Sequence, residues 1–137
     1  MNSIAIVGSR AYPREDLVRA YVRRLPLGTV VVTGGWWVKG VLEPTRGVDR
    51  WAAEEARDAG LFVVLVAGSP AMGKGAGFRR NPIVVEMAGK VVAFWDESSR
   101  GTEATIRIAA PTGKLWRVFG ADGKALDIEA RWGAAPF

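Results

Sequence analysis

Four short runs of apolar, largely β-branched residues, each followed by a helical pattern, constrain this chain more than any other feature. Ser3 to Val7 (SIAIV), Thr29 to Thr33 (TVVVT), Leu61 to Val66 (LFVVLV) and Lys90 to Trp95 (KVVAFW) have strand length, and their continuous apolarity fits strands buried on both faces. A fifth run, Lys114 to Phe119 (KLWRVF), alternates. Between them, Arg14 to Arg24 carries Leu17, Val18, Tyr21 and Val22 on one face, and Val48 to Ala59 repeats apolar residues at helical spacing before stopping at Gly60. Phe78 to Met87 and Thr102 to Ala110 are shorter helices, followed by Gly89 and Pro111. Strands that alternate with helices in this way predict a doubly wound α/β domain.

The expected architecture is a Rossmann-like three-layer domain with a mostly parallel five-stranded sheet, and 137 residues make one such domain, 1–137. The stretch 121–137 breaks the rhythm. Ala121 to Lys124 (ADGK) is a turn signal, so Ala125 to Glu129 is expected to return as an antiparallel strand beside Lys114 to Phe119, forming a C-terminal edge hairpin.

The chain has no Cys and no His, which excludes thiolate chemistry, iron–sulfur and zinc-thiolate sites, and triads built on His. Catalysis would have to use carboxylates, Arg, Lys, hydroxyls or backbone amides. Neither a metal nor a cofactor is expected, and Asp96 with Glu97 reads as a charged loop. The net charge is +5, and 14 of the 19 cationic residues are Arg, the side chain suited to bidentate grip on phosphate or carboxylate. The first residues, MNSIAIVG, do not resemble a signal stretch, and no apolar run has membrane-spanning length, so a cytoplasmic location is expected.

Ligands of open parallel sheets bind beyond the carboxyl ends of the strands, where loops lead into helix N-termini. Those loops here hold Gly8-Ser9-Arg10, then Thr33-Gly34-Gly35, the Gly-rich stretch up to Arg79-Arg80-Asn81, and Arg100-Gly101-Thr102. Glycine lets backbone amides approach an anion, and the helix dipole adds positive potential, so a phosphate is the natural guest. Arg79 and Arg80 at a helix start oppose the dipole and point to an external anion, while Asp49 lies in the first turn of its helix as a cap or a ligand contact. Neither the Walker pattern nor G-x-G-x-x-G is present.

Ile6-Val7-Gly8-Ser9-Arg10, Val32-Thr33-Gly34-Gly35, Arg46-Gly47-Val48-Asp49-Arg50, Gly75-Ala76-Gly77-Phe78-Arg79-Arg80-Asn81 and Arg100-Gly101-Thr102 occur in that order. This ordered set resembles the SLOG superfamily of Rossmann-like nucleotide binders, in particular its small YspA-related branch. The resemblance covers about residues 3 to 119 and implies a nucleotide-type ligand. The wider superfamily includes the Lonely Guy phosphoribohydrolases, which cleave the N-glycosidic bond of nucleoside 5′-monophosphates, and the DNA-processing protein A family, which binds single-stranded DNA. In the Lonely Guy motif P-G-G-x-G-T-x-x-E, alignment on Gly101-Thr102 puts Thr105 at the Glu position. Glu103 lies two residues earlier, about 200° away around a helix. Relative to the related branch, Trp36 to Thr45 is an insertion that brings Trp36 and Trp37 beside the pocket, as base-stacking or subunit-contact candidates.

The resulting expectation is a ligand-binding or sensor protein for a nucleotide or phosphorylated nucleoside derivative. Gly8, Ser9, Arg10, Thr33, Gly34, Gly35, Arg79, Arg80, Asn81, Gly101 and Thr102 form its binding set. The alternative is a nucleoside 5′-monophosphate N-glycosidase with Glu103 as catalytic carboxylate and Asp49 second; the next is single-stranded nucleic-acid binding with Trp36 or Trp37 stacking on bases. A homodimer is the expected assembly.

Overall fold

The computed structural model describes residues 2–68 and 76–133, with the side chains of residues 76–79 outside that description. The elements are β1 (Ser3–Gly8), α1 (Glu15–Arg23), β2 (Val30–Val38), β3 (Val41–Pro44), α2 (Val48–Asp58), β4 (Phe62–Ala67), α3 (Ala76–Met87), β5 (Lys90–Phe94), α4 (Arg100–Ala109), β6 (Leu115–Phe119) and α5 (Ile128–Trp132). Five parallel strands run in the order β4-β2-β1-β5-β6, and β3 adds an antiparallel strand to the far end of β2. The expected doubly wound α/β domain is present.

Alternation along the strands explains the layers. Ile4 and Ile6 of β1, with Val31, Val92 and Phe94, bury against Val18 and Val22 of α1 and Val48, Ala52 and Ala56 of α2. Ala5 and Val7, with Val32, Val91 and Ala93, face the other way, onto Val84 and Val85 of α3 and Ile106 and Ala109 of α4. Both faces of the central strands are therefore apolar, which is why their sequences read as unbroken runs. Across the first face, Glu55 of α2 accepts from Arg19 (3.4 Å) and Arg23 (3.0 Å) of α1 and ties the two helices together.

Two expectations about the periphery change. The insertion Trp36 to Thr45 is a hairpin: β2 continues to Val38, turns at Lys39-Gly40 (φ +48° and +81°) and returns as β3 with Trp36 opposite Glu43 and Trp37 opposite Leu42. Positive φ at both turn residues matches the right-handed twist of a two-residue hairpin. The sheet therefore has six strands.

The C-terminal edge hairpin, in contrast, is reduced to one antiparallel bridge, Phe119 to Ala125. Its turn does form, with the Lys124 amide donating to the Asp122 carboxylate (2.9 Å). The chain then leaves the sheet because Asp127 accepts from the Ala130 amide (3.1 Å) and caps α5. That helix lays Ile128 and Trp132, with Leu126 before it, partly buried on the α3/α4 face of the core.

Among the described residues, no helix is long and apolar enough to cross a membrane.

Candidate functional site

The sheet order itself opens a crevice. From β1 the chain proceeds to β2 on one side, and from β4 it crosses over to β5 on the other, so the carboxyl end of β1 is the switch point where such domains bind ligands. β1 pairs with β2 only through Ala5, whereas it pairs with β5 as far as Gly8. Beyond Ala5 the two strands diverge, and a cavity of about 400 Å³ occupies the gap. That volume suits a small ligand.

Glycines set how closely its walls approach. A Cβ on Gly8 would lie 2.7 Å from Cβ of Val48 and would strike the Phe94 carbonyl, so α2 can start against β1 only without a side chain there. A Cβ on Gly34 would lie 2.6 Å from Oδ2 of Asp49 and 2.8 Å from Nη2 of Arg80. Gly47, at φ +83° before α2, abuts the backbone of Arg10.

One wall is the start of α4. The Ser99 side chain caps the helix, accepting from the Thr102 amide (3.4 Å), and Thr105 donates to the Gly101 carbonyl (3.2 Å). Asp96 shapes the approach by accepting from the amides of Ser98 (3.0 Å) and Ser99 (2.8 Å), while its own amide donates to the buried Ser9 hydroxyl (3.1 Å). Partial burial pushes its carboxyl up, but these hydrogen bonds outweigh it and hold Asp96 below the usual range. Asp96 is thus an ionised loop brace. Glu97 is taken up by Arg131 (2.8 Å), and no cluster of three potential metal ligands exists among the described residues.

The opposite wall holds Asp49 and Arg80. Asp49 is 5% exposed, and its Oδ1 has no hydrogen-bond partner among the described residues. Burial drives its carboxyl up to about 7; Arg80, the Thr33 hydroxyl, the Gly8 amide and Arg10 pull it down without cancelling that. The Arg80 guanidinium lies 4.0 Å from Asp49, and its Nη1 donates to the Gly35 carbonyl and to Thr45 Oγ1 (3.2 Å). Arg80 is itself partly buried, which lowers its pKa against the support of Asp49. Its donors are taken up inside the fold. Arg10 is different: exposed at the cavity mouth, it makes no hydrogen bond or salt bridge to another described residue.

Of the expected binding set, Gly8, Arg10, Gly34, Arg80, Asn81, Gly101 and Thr102 line the cavity, and Asp49 joins them. Ser9, Thr33 and Gly35 lie behind it: Ser9 holds Asp96, Thr33 donates to the Ile6 carbonyl (2.6 Å), and Gly35 accepts from Arg80. The side chain of Arg79 falls outside the described residues. Glu103 does not line the cavity; its carboxylate lies 3.6 Å from Arg107 one turn along the helix. Thr105, two residues on, does line it, as helical spacing requires. Trp36 and Trp37 stand on the hairpin, 57% and 47% exposed and outside the cavity lining. Sequence reasoning missed Thr45 and Ser99 as wall residues; Thr45 became one only because the hairpin brings it back to Gly34, where its amide donates to the Gly34 carbonyl (3.0 Å).

No family model, curated protein or solved structure matches this chain. The site stands on its geometry. It offers a cation without a partner among the described residues, a helix start, a row of hydroxyls and amides, a protonatable carboxyl, and apolar patches at Val7, Ala11 and Val84.

Proposed function

We infer that this domain binds a nucleotide or phosphorylated nucleoside derivative in the crevice at the carboxyl edge of its sheet, as a ligand-binding or sensor protein. The observation that carries the reading is the meeting, in one cavity, of the α4 start at Ser99 to Thr102 with the Arg10 guanidinium, which has no partner among the described residues. Helix dipole and guanidinium both favour a phosphate there, and the crevice between β1 and β2 leaves room for the nucleoside. The resemblance of the Gly-Ser-Arg and Arg-Gly-Thr segments to the SLOG superfamily agrees with it.

Calorimetric titration with nucleoside 5′-monophosphates, ADP-ribose and cyclic nucleotides, against the matching unphosphorylated nucleosides, tests this directly. Phosphorylated ligands should bind, nucleosides should not, and Arg10→Ala should weaken binding roughly 10- to 100-fold, the worth of about 1.5–3 kcal/mol for a charge-assisted contact. A silent panel, or an Arg10→Ala variant that binds as well as the parent, refutes the reading.

A hydrolytic reading rests on Asp49 alone. A cavity carboxyl with a pKa of about 7 is poised to deliver a proton to the departing base at neutral pH while a water molecule adds to the anomeric carbon and completes the hydrolysis. Free base released from a nucleoside monophosphate, and abolished in Asp49→Asn, would establish it; tight binding without release would leave a binder.

A further inference from the structure

The two edges of the sheet are finished differently. At the β6 edge, Arg117 places a charge on the strand, the Leu126 amide donates to the Val118 carbonyl (2.8 Å), and α5 follows beside it. These are devices that stop an edge from recruiting another strand. β4, the opposite edge, has none of them among the described residues: there it pairs only with β2, over six rungs from Phe62 to Ala67, and no described residue hydrogen-bonds to its outer side. Its sequence, FVVLVA, contains no charge, no Pro and no Gly. Phe62 is 66% exposed, and Val66 is the only buried residue of the six.

We propose that β4 is a dimerisation edge, and that the strand added to it is β4 of a second copy of this chain, antiparallel across a two-fold axis. An identical edge closes on itself only by antiparallel pairing about such an axis, which completes the assembly at two copies. In a register centred on Val64, Phe62 of each copy lies across from Val66 of the other, and Val63 across from Leu65. Directly opposed residues then share a face of the sheet, as an antiparallel ladder requires, and every opposed pair is apolar. No like charges meet, although the chain as a whole carries +5. The result is one continuous sheet through two domains, with the exposed ring of Phe62 covered.

The experiment combines mass in solution with strand-level exchange. Sedimentation equilibrium of the full chain should give twice 14.8 kDa, and Phe62→Lys with Leu65→Lys should return it to one chain mass with an unchanged circular dichroism spectrum. Hydrogen exchange of unaltered protein, which does not depend on that variant folding, should show β4 amides slowing at least tenfold from dilute to concentrated samples. A monomer at every concentration overturns the proposal. So does a dimer whose β4 amides exchange at the same rate in both samples, or one lost in Trp36→Ser with Trp37→Ser and kept in the β4 variant.

Discussion

Replacing Asp49 by Asn removes an ionisable group from a place where ionisation is costly, and the effect should appear as a pH slope. In the fold, burial lifts this carboxyl from 3.8 to about 7. Between those values the folded chain holds a proton that the unfolded chain has released. Stability contributed by this group is therefore complete at low pH, falls as pH rises through the window, and levels off above the folded value. At about 1.4 kcal/mol per pH unit, the loss across the window comes to about 4 kcal/mol. Asn cannot ionise, so the variant lacks the decline, whereas pairs elsewhere, such as Glu55 with Arg23, act equally in both proteins. Urea unfolding of parent and variant in steps from pH 4 to pH 8 measures the difference. It should shift in favour of Asn by about 4 kcal/mol from the acid to the neutral end, whatever constant offset the side-chain exchange introduces. Parallel curves, or a difference that moves towards the parent, would mean that Arg80 outweighs burial and that Asp49 is ionised throughout; the reasoning would then be wrong.

The same group should make ligand binding pH-dependent: a nucleoside monophosphate should bind more weakly at pH 8 than at pH 6, because ionised Asp49 repels the phosphate, and calorimetry on Asp49→Asn should show that dependence flattened. Gly8→Ala forces a Cβ to within 2.7 Å of Val48 and should destabilise the fold by about 1–3 kcal/mol, read from the urea midpoint; a parent-like midpoint would mean α2 does not need that close approach. Glu103→Gln should leave nucleotide affinity unchanged, since its carboxylate is turned towards Arg107, and a large loss on titration would show that it reaches the ligand after all.

The strands of the central sheet were legible because the helices on both faces demand apolar side chains at every position, and few other folds write that pattern. The periphery was less so. Trp36 to Val38 and Val41 to Pro44 make short strands around Lys39-Gly40, which lacks the Asn-Gly or Asp-Gly signature, so the stretch read only as an insertion and not as a hairpin. Ala125 to Glu129 misled in the other direction, because a sound turn precedes it while Asp127, one side chain, diverts the chain into α5. In the site, glycines announced the crevice, since close backbone approach leaves a compositional trace. The partnership of Asp49 with Arg80 left none: the two lie 31 positions apart in the sequence and meet only because α2 and α3 converge over Gly34. A cation at a helix start looked as though it awaited an external anion; much of its hydrogen bonding is taken up inside the fold, by the Gly35 carbonyl and Thr45.

The position of β1 has a consequence for synthesis. Its partners lie on either side in space but far apart in time: Ser3 pairs with Val30, whereas Ile4 pairs with Lys90, 86 residues later. At about 5–20 residues per second, roughly 4 to 17 s separate the emergence of β1 from that of the strand covering its second edge. Through that interval the nascent chain presents Ala5, Ile6 and Val7 as an open apolar ladder, so its exposure to misassembly and to chaperones is greatest before β5 leaves the ribosome, and slowing translation between β4 and β5 should raise the insoluble fraction more than slowing it after β6.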